Sequence, residues 1–187
     1  MSDSVATSEE IAQSTLTEAA VLVPVFRDPA GVLRVILVLR GPGGPHGGQI
    51  GLPGGRRESS DPDSRAAALR EAQEEIGLDP DSVDVLAELD SVETASTGFR
   101  IIPFLARVNR LPSNWILQES ELAEIYEEAI DDLLLSDRRS IETWQLPHWS
   151  GPREIPFVWL RGHKLWGATY RILDSVLPRV LAGEWAF

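Results

Sequence analysis

The sequence predicts an α+β domain, a β-sheet flanked by helices, and three stretches carry that prediction. Residues 19–28 and 32–40, AAVLVPVFRD and VLRVILVLR, are rich in β-branched residues and meet at Asp28-Pro29-Ala30-Gly31, the pattern of a β-hairpin. The unbroken apolar character of the second run makes it a central strand buried on both faces. Arg65 to Ile76 holds Ala66, Ala67 and Ala68, with Asp61, Asp63 and Ser64 able to cap its start and Gly77 able to end it, so it reads as a helix. Residues 167–181 place Ala168, Ile172, Ser175, Val176 and Val180 on one side of a second, amphipathic helix. At 187 residues, 43% hydrophobic and 25% charged, the chain has the size and composition of one globular domain. That domain is expected over residues 19–187, behind a mobile tail at 1–18 rich in Ser, Thr and acid and without aromatics.

Charge narrows the partners. Lys and Arg number 17 against 29 Asp and Glu, a formal charge of −12, which argues against non-specific nucleic-acid or anionic-membrane binding. An anionic small-molecule substrate would need metal to screen it. With no cysteine there is no disulfide, thiolate nucleophile or Cys-based zinc site. No apolar run approaches the roughly 20 residues that span a bilayer. Asp3, Glu9 and Glu10 stand where a signal peptide carries positive charge, so a cytoplasmic protein is expected.

The chemistry concentrates in Gly54 to Leu78, GGRRESSDPDSRAAALREAQEEIGL. On a helix Glu71 stands i,i+3 from Glu74 and i,i+4 from Glu75, which sets three carboxylates over one region, with Cβ atoms roughly 5–6 Å apart. They repel one another and sit in the later turns, where the helix dipole disfavours anions. A solvated acidic face is one reading. The other is a cation site, because hard oxygen ligands crowded on a rigid element suit Mg²⁺ or Mn²⁺. Upstream, Gly41 to Gly55 holds eight glycines and three prolines; it joins a buried strand to the acidic helix and so brings backbone groups to the same place.

The stretch resembles the Nudix box, G-x5-E-x7-R-E-U-x-E-E-x-G-U with U aliphatic. Arg70-Glu71, Glu74-Glu75 and Gly77-Leu78 supply its Arg-Glu, Glu-Glu and Gly elements, with Ala72 at the intervening U. The segment between Gly55 and Arg70 is one residue longer than the general pattern, and Glu58 with Asp61 replaces the lone upstream Glu. That spacing is similar to the coenzyme A-cleaving branch of the superfamily, as are Arg40, His46, Gly48, Gln49, Ile50 and Pro53 before it. Thr94, Gly98, Phe99, Pro103 and Phe104, and then Leu165-Trp166-Gly167-Ala168-Thr169, fit further segments of that branch. The Leu-Arg pair of the branch is missing here, the loop before His46 is one residue shorter, and Leu52 stands where Phe is usual.

The resemblance covers about residues 20–180 and implies a Nudix fold, an α/β/α sandwich with a mixed central sheet between helices. It implies hydrolysis of the diphosphate of coenzyme A or its thioesters, with Mg²⁺ or Mn²⁺ held by Glu71, Glu75 and Glu74. Glu71, Glu74 and Arg70 carry the catalytic role, Arg70 by orienting a glutamate. Arg40, His46, Gln49, Gly54, Gly55, Arg56 and Phe99 are the substrate-binding candidates. The alternatives are another nucleoside diphosphate derivative as substrate, such as ADP-ribose, a dinucleotide or a nucleotide sugar, and a regulator that has lost catalysis. The retained carboxylates argue against the regulator.

The rest of the chain is expected to supply strands over Val83–Val92, Arg100–Val108, Phe157–Leu160 and Lys164–Trp166, the last two around a tight turn at Arg161-Gly162. In Glu119 to Leu135, Leu122, Ile125, Ala129 and Leu133 recur at helical spacing, whereas the resemblance implies a strand from Glu121 to about Tyr126 and a short helix over 129–135. Glu121 or Glu119 could add an outer metal ligand or a base. Phe99 and Phe104 read as core aromatics before substrate platforms. Exposed tryptophans of the last third could form a homodimer face.

Overall fold

The computed structural model of the protein describes residues 16–43, 47–94, 98–146 and 149–187. Strands β1 (Thr17–Arg27) and β2 (Leu33–Arg40) form the expected antiparallel hairpin, pairing Val25 with Val35 and Arg27 with Leu33. Asp28 closes the turn, its carboxylate accepting from the N–H groups of Ala30 and Val32 and from Arg34. Because β1 starts at Thr17, the last two residues assigned to a tail belong to the sheet; residues 1–15 lie outside the described part.

Two short strands absent from the sequence reading, β3 (Ile50–Gly51) and β4 (Gly54–Arg56), return the glycine-rich segment to the sheet, β3 along β2 and β4 along β1. Helix α1 (Ser64–Ile76) follows, with the Asp63 carboxylate accepting from the Ala66 N–H at its start and Gly77 left-handed at its end. The expected strand over 83–92 is two strands, β5 (Val83–Glu88) and β6 (Val92–Thr94), both antiparallel to β7 (Phe99–Val108). β7 runs parallel to β1, which makes the sheet mixed.

The segment after Glu121 is strand β8 (Leu122–Ala129), ending three residues later than expected, then helix α2 (Ile130–Leu134). Its helical spacing is overridden because β2 offers a long unpaired edge, which β8 covers from Arg34↔Ala129 to Arg40↔Leu122. A second, three-stranded sheet forms from β9 (Arg139–Trp144), β10 (Arg153–Leu160) and β11 (His163–Trp166), and β9 was not foreseen. Helix α3 (Gly167–Leu181) closes the chain, burying Ile172, Leu173, Val176, Leu177 and Val180; Ser175, expected on that side, is exposed.

Alternation along the hairpin separates two cores. Ala20, Leu22, Phe26, Ile36 and Val38 pack under Ala67, Ala68, Ala72 and Ile76 of α1, together with Phe104. Val23, Val25, Val35, Leu37 and Leu39 face the other way, against Val158, Leu160, Leu165 and the apolar stripe of α3. The mixed sheet is thus sandwiched between helices, with the small sheet inserted on the α3 side.

Candidate active site

Helix α1 lays its alanine face on β1, and that choice of face sorts the three glutamates. Glu75 points in with Ala68, Ala72 and Ile76, and its side chain is 2% exposed; that of Glu71 is 17% exposed and that of Glu74 56%. They do not share one surface, as the sequence suggested: Glu71 and Glu75 turn toward β4, and Glu74 toward solvent.

Strand β4 meets them with two glycines for separable reasons. Gly54 has a φ of 147°, and a Cβ there would fall 2.3 Å from the Ala20 carbonyl oxygen. Its N–H donates to Glu75 Oε2 at 2.9 Å. At Gly55 a Cβ would lie 2.5–2.7 Å from the carboxylate atoms of Glu71, so the glutamate occupies the space a side chain would fill.

Arg70 is a clasp. Its Nε and Nη2 hold Asp61 Oδ1 and Oδ2 at 2.9 and 3.0 Å, while Nη1 reaches Glu71 Oε1 at 3.0 Å and Glu74 Oε2 at 3.1 Å. Nη2 also donates to the Arg56 carbonyl at 3.3 Å. A paired fork of this kind is among the stronger polar contacts. It holds the Asp61 carboxyl below the usual carboxylate range, helped by the Glu58 N–H. Arg70 thus contacts both Glu71 and Glu74, and its paired fork is taken by Asp61, a residue the sequence offered as a cap.

Electrostatics set Glu75 apart. Burial pushes its carboxyl up to about 7, against the Gly54 N–H and Arg40, with Glu71 and Glu121 adding to the rise. Burial likewise raises Glu71, opposed by Arg70 and reinforced by Glu74 and Glu121. Glu121, not Glu119, is thus the outer acid whose charge reaches the pair. Among the described residues no ready-made cluster of three acid or imidazole groups stands at a metal-binding geometry. Two desolvated carboxylates with raised affinity for a proton and hard oxygen donors are nonetheless suited to a divalent cation.

Beside this pair opens a cleft of about 630 Å³, walled by the mixed sheet, the small sheet and the start of α3. Arg40 stands at its edge, with Nη1 3.8 Å from Glu75 Oε1 and Nη2 3.4 Å from the Gly54 carbonyl. Gln49 and Phe99 line it, with Trp149, Arg153 and Trp166 on the far wall. Arg56 lies elsewhere, in a polar hollow of about 450 Å³ with Arg57, Glu58 and Asp61. His46 falls outside the described residues. Trp149 and Arg153 were not anticipated; the alternation of Ile155, Phe157 and Trp159 was the sequence signal that could have placed this wall. Of the six tryptophans Trp159 alone is exposed, so the suggested dimer face shrinks to that residue.

A NUDIX domain profile matches residues 16–154. The chain belongs to the Nudix family. A Nudix hydrolase of Salmonella heidelberg, named NudL and described as uncharacterized, is 33% identical over 180 residues, covering 91% of this chain and 88% of its own length. Among solved structures, the Nudix hydrolase RenU of M. smegmatis superposes with a TM-score of 0.53 at 26% identity, over 63% of this chain and 73% of that one. A MutT/nudix family protein of Enterococcus faecalis covers 95% of this chain and 70% of its own with a TM-score of 0.59; at 17% identity it speaks for the fold. The Nudix chain is accordingly an enzyme, a hydrolase of phosphoric anhydride bonds in nucleoside diphosphate derivatives, of a family that works with divalent metal ions. The profile ends at residue 154, inside β10, so Trp149 and Arg153 of the far wall lie within it and Trp166 beyond. Among the described residues no helix is long and apolar enough to cross a membrane.

Proposed function

We propose that this Nudix hydrolase belongs to the coenzyme A-cleaving branch. It would act in the cytoplasm with Mg²⁺ or Mn²⁺, cleaving coenzyme A or its thioesters to adenosine 3′,5′-bisphosphate and 4′-phosphopantetheine or its acyl form. The supporting observation is the lining of the cleft, which combines Arg40, in reach of Glu75 and of the Gly54 carbonyl, with the rings of Phe99, Trp149 and Trp166. A nucleoside diphosphate presents charge at its centre and a flat base beyond it. Aromatic faces accept any base by stacking.

Glu71 and Glu75 would hold the metal, with a carbonyl of Gly54 or Gly55 beside them and Glu74 at the rim. The ion supplies charge neutralisation at the diphosphate and acidification of the attacking water. The chain's own groups do the positioning. The Gly54 N–H fixes Glu75, the Arg70 clasp aims Glu71 and Glu74, and Arg40 offers a guanidinium to the phosphoryl oxygens. Each donor is held by a second contact, which limits the reorganisation needed as charge develops. Glu74, exposed and held by Arg70, is the candidate for taking the proton of water.

The deciding experiment is a substrate panel with each metal, products identified by mass: coenzyme A, acetyl-coenzyme A, 3′-dephospho-coenzyme A, ADP-ribose, a diadenosine polyphosphate and a nucleotide sugar. Coenzyme A or its thioester with the highest kcat/KM, yielding adenosine 3′,5′-bisphosphate, is expected. Faster cleavage of ADP-ribose than of any coenzyme A form rejects the substrate and keeps the hydrolase.

A further inference from the structure

Among the described residues four charged side chains line the cleft, and three are engaged. Arg40 faces Glu75, Glu93 takes Arg100 at 3.1 Å, and Arg171 Nη2 donates to the Glu93 carbonyl at 2.8 Å. The fourth, Arg153, like Arg171, makes no ion pair among the described residues, and its guanidinium sits over the Trp149 ring, 5.2 Å from the centroid. The acid nearest on its face of the small sheet, Glu142, is occupied by Lys164 and the Trp144 N–H, and Glu154 alternates to the opposite face. In a chain of formal charge −12, a guanidinium without a carboxylate, stacked on a ring inside the cleft, is set up to receive an anion. A cation over a ring face keeps its N–H groups for a further partner.

We infer that Arg153, seated on Trp149, contacts a phosphomonoester carried on the ribose of the bound nucleotide and so sets the preference for 3′-phosphorylated substrates. This rests on the coenzyme A reading, and it assigns the 3′-phosphate to a residue of β10. Of the other arginines, Arg57 is tied to Glu18 and the Pro62 carbonyl, and Arg100 to Glu93.

The test is calorimetric titration of the full chain with adenosine 3′,5′-bisphosphate and, separately, with AMP. The wild-type protein is expected to bind the bisphosphate about ten-fold more tightly, the scale of one charge-assisted contact near the surface. R153Q should erase that gap by weakening the bisphosphate alone, with its melting temperature unchanged because the side chain is exposed. R171Q should preserve the gap. No gap in the wild type, a gap that survives R153Q, or one lost in R171Q instead overturns the assignment. Binding and turnover separate the two failures. If the gap behaves as expected while coenzyme A is not cleaved, the substrate reading falls and the Arg153 contact stands. If coenzyme A is cleaved without a gap, the reverse holds.

Discussion

Replacing Glu75 by Gln should stabilise the metal-free enzyme at alkaline pH while destroying its activity. The carboxyl titrates near 7 in the fold and at 4.5 ordinarily, because burial penalises the charge more than the Gly54 N–H and Arg40 repay it. A raised carboxyl works against folding as pH increases: the folded state keeps its proton between 4.5 and about 7 while the unfolded state has lost it. The loss of stability therefore begins near pH 4.5 and is complete a little above 7. At about 1.36 kcal/mol per pH unit the full cost is roughly 3 kcal/mol. The Gln amide sets an N–H₂ group near Arg40, so we expect about half to be recovered, about 1–2 kcal/mol. In a domain of this size that is roughly 2–8 °C of melting temperature. Scanning calorimetry in chelator at pH 5 and pH 8.5 measures it: the variant should gain at pH 8.5 and gain much less at pH 5. A variant that melts below wild type at pH 8.5, or gains equally at both, refutes a desolvated, raised Glu75. Added Mg²⁺ should invert the order, since the cation stabilises only the form that binds it.

Further outcomes follow from the same geometry. E75Q should lower kcat by at least about two orders of magnitude with saturating Mg²⁺, and chelator should abolish wild-type turnover; full activity in either case removes Glu75 from the site. G55A should fold normally yet need about ten-fold more Mg²⁺ for half-maximal rate or fail outright, because its methyl meets the Glu71 carboxylate; an unaltered metal titration counts against Glu71 as a ligand. R70K keeps the charge and breaks the fork to Asp61, at a cost of about 1–3 kcal/mol in urea denaturation. E74Q should leave the metal-free melting temperature within a degree or so, since Glu74 is exposed and relieved by Arg70.

Helix α1 was legible because its signals are local: alanines inside, Asp63 before, Gly77 after. The hairpin was legible through Asp28, whose carboxylate closes its own turn. What the sequence withheld was orientation. Glu74 and Glu75 are adjacent letters in an acidic run, and only the packing of Ala68, Ala72 and Ile76 on β1 decides which of them is buried. Strand β8 shows the same limit in another form. Leu122, Ile125 and Ala129 recur at a helical interval, and a partner strand some 90 residues earlier overrules them. Asp61 hid its role because a carboxylate just before a helix has an obvious local use, whereas Arg70, nine residues on, claims it. The wall bearing Trp149 and Arg153 depends on a second sheet whose members announce themselves only when paired.

The Arg70 clasp also has a consequence for how this enzyme breathes. Loop 57–60 is poor in apolar anchors, and its attachment to the helix is largely ionic, through Asp61 on one side and the Arg56 carbonyl on the other. Fraying of the first helical turn and opening of the loop should then be one event. In amide hydrogen exchange, the N–H groups of Asp61, Ala66 and Ala67, bonded to Glu58 and Asp63, would lose protection together and lose it faster in R70K. The glutamates would be released in that same opening, so the rate at which deuterium enters the loop reports how often the enzyme disarms itself.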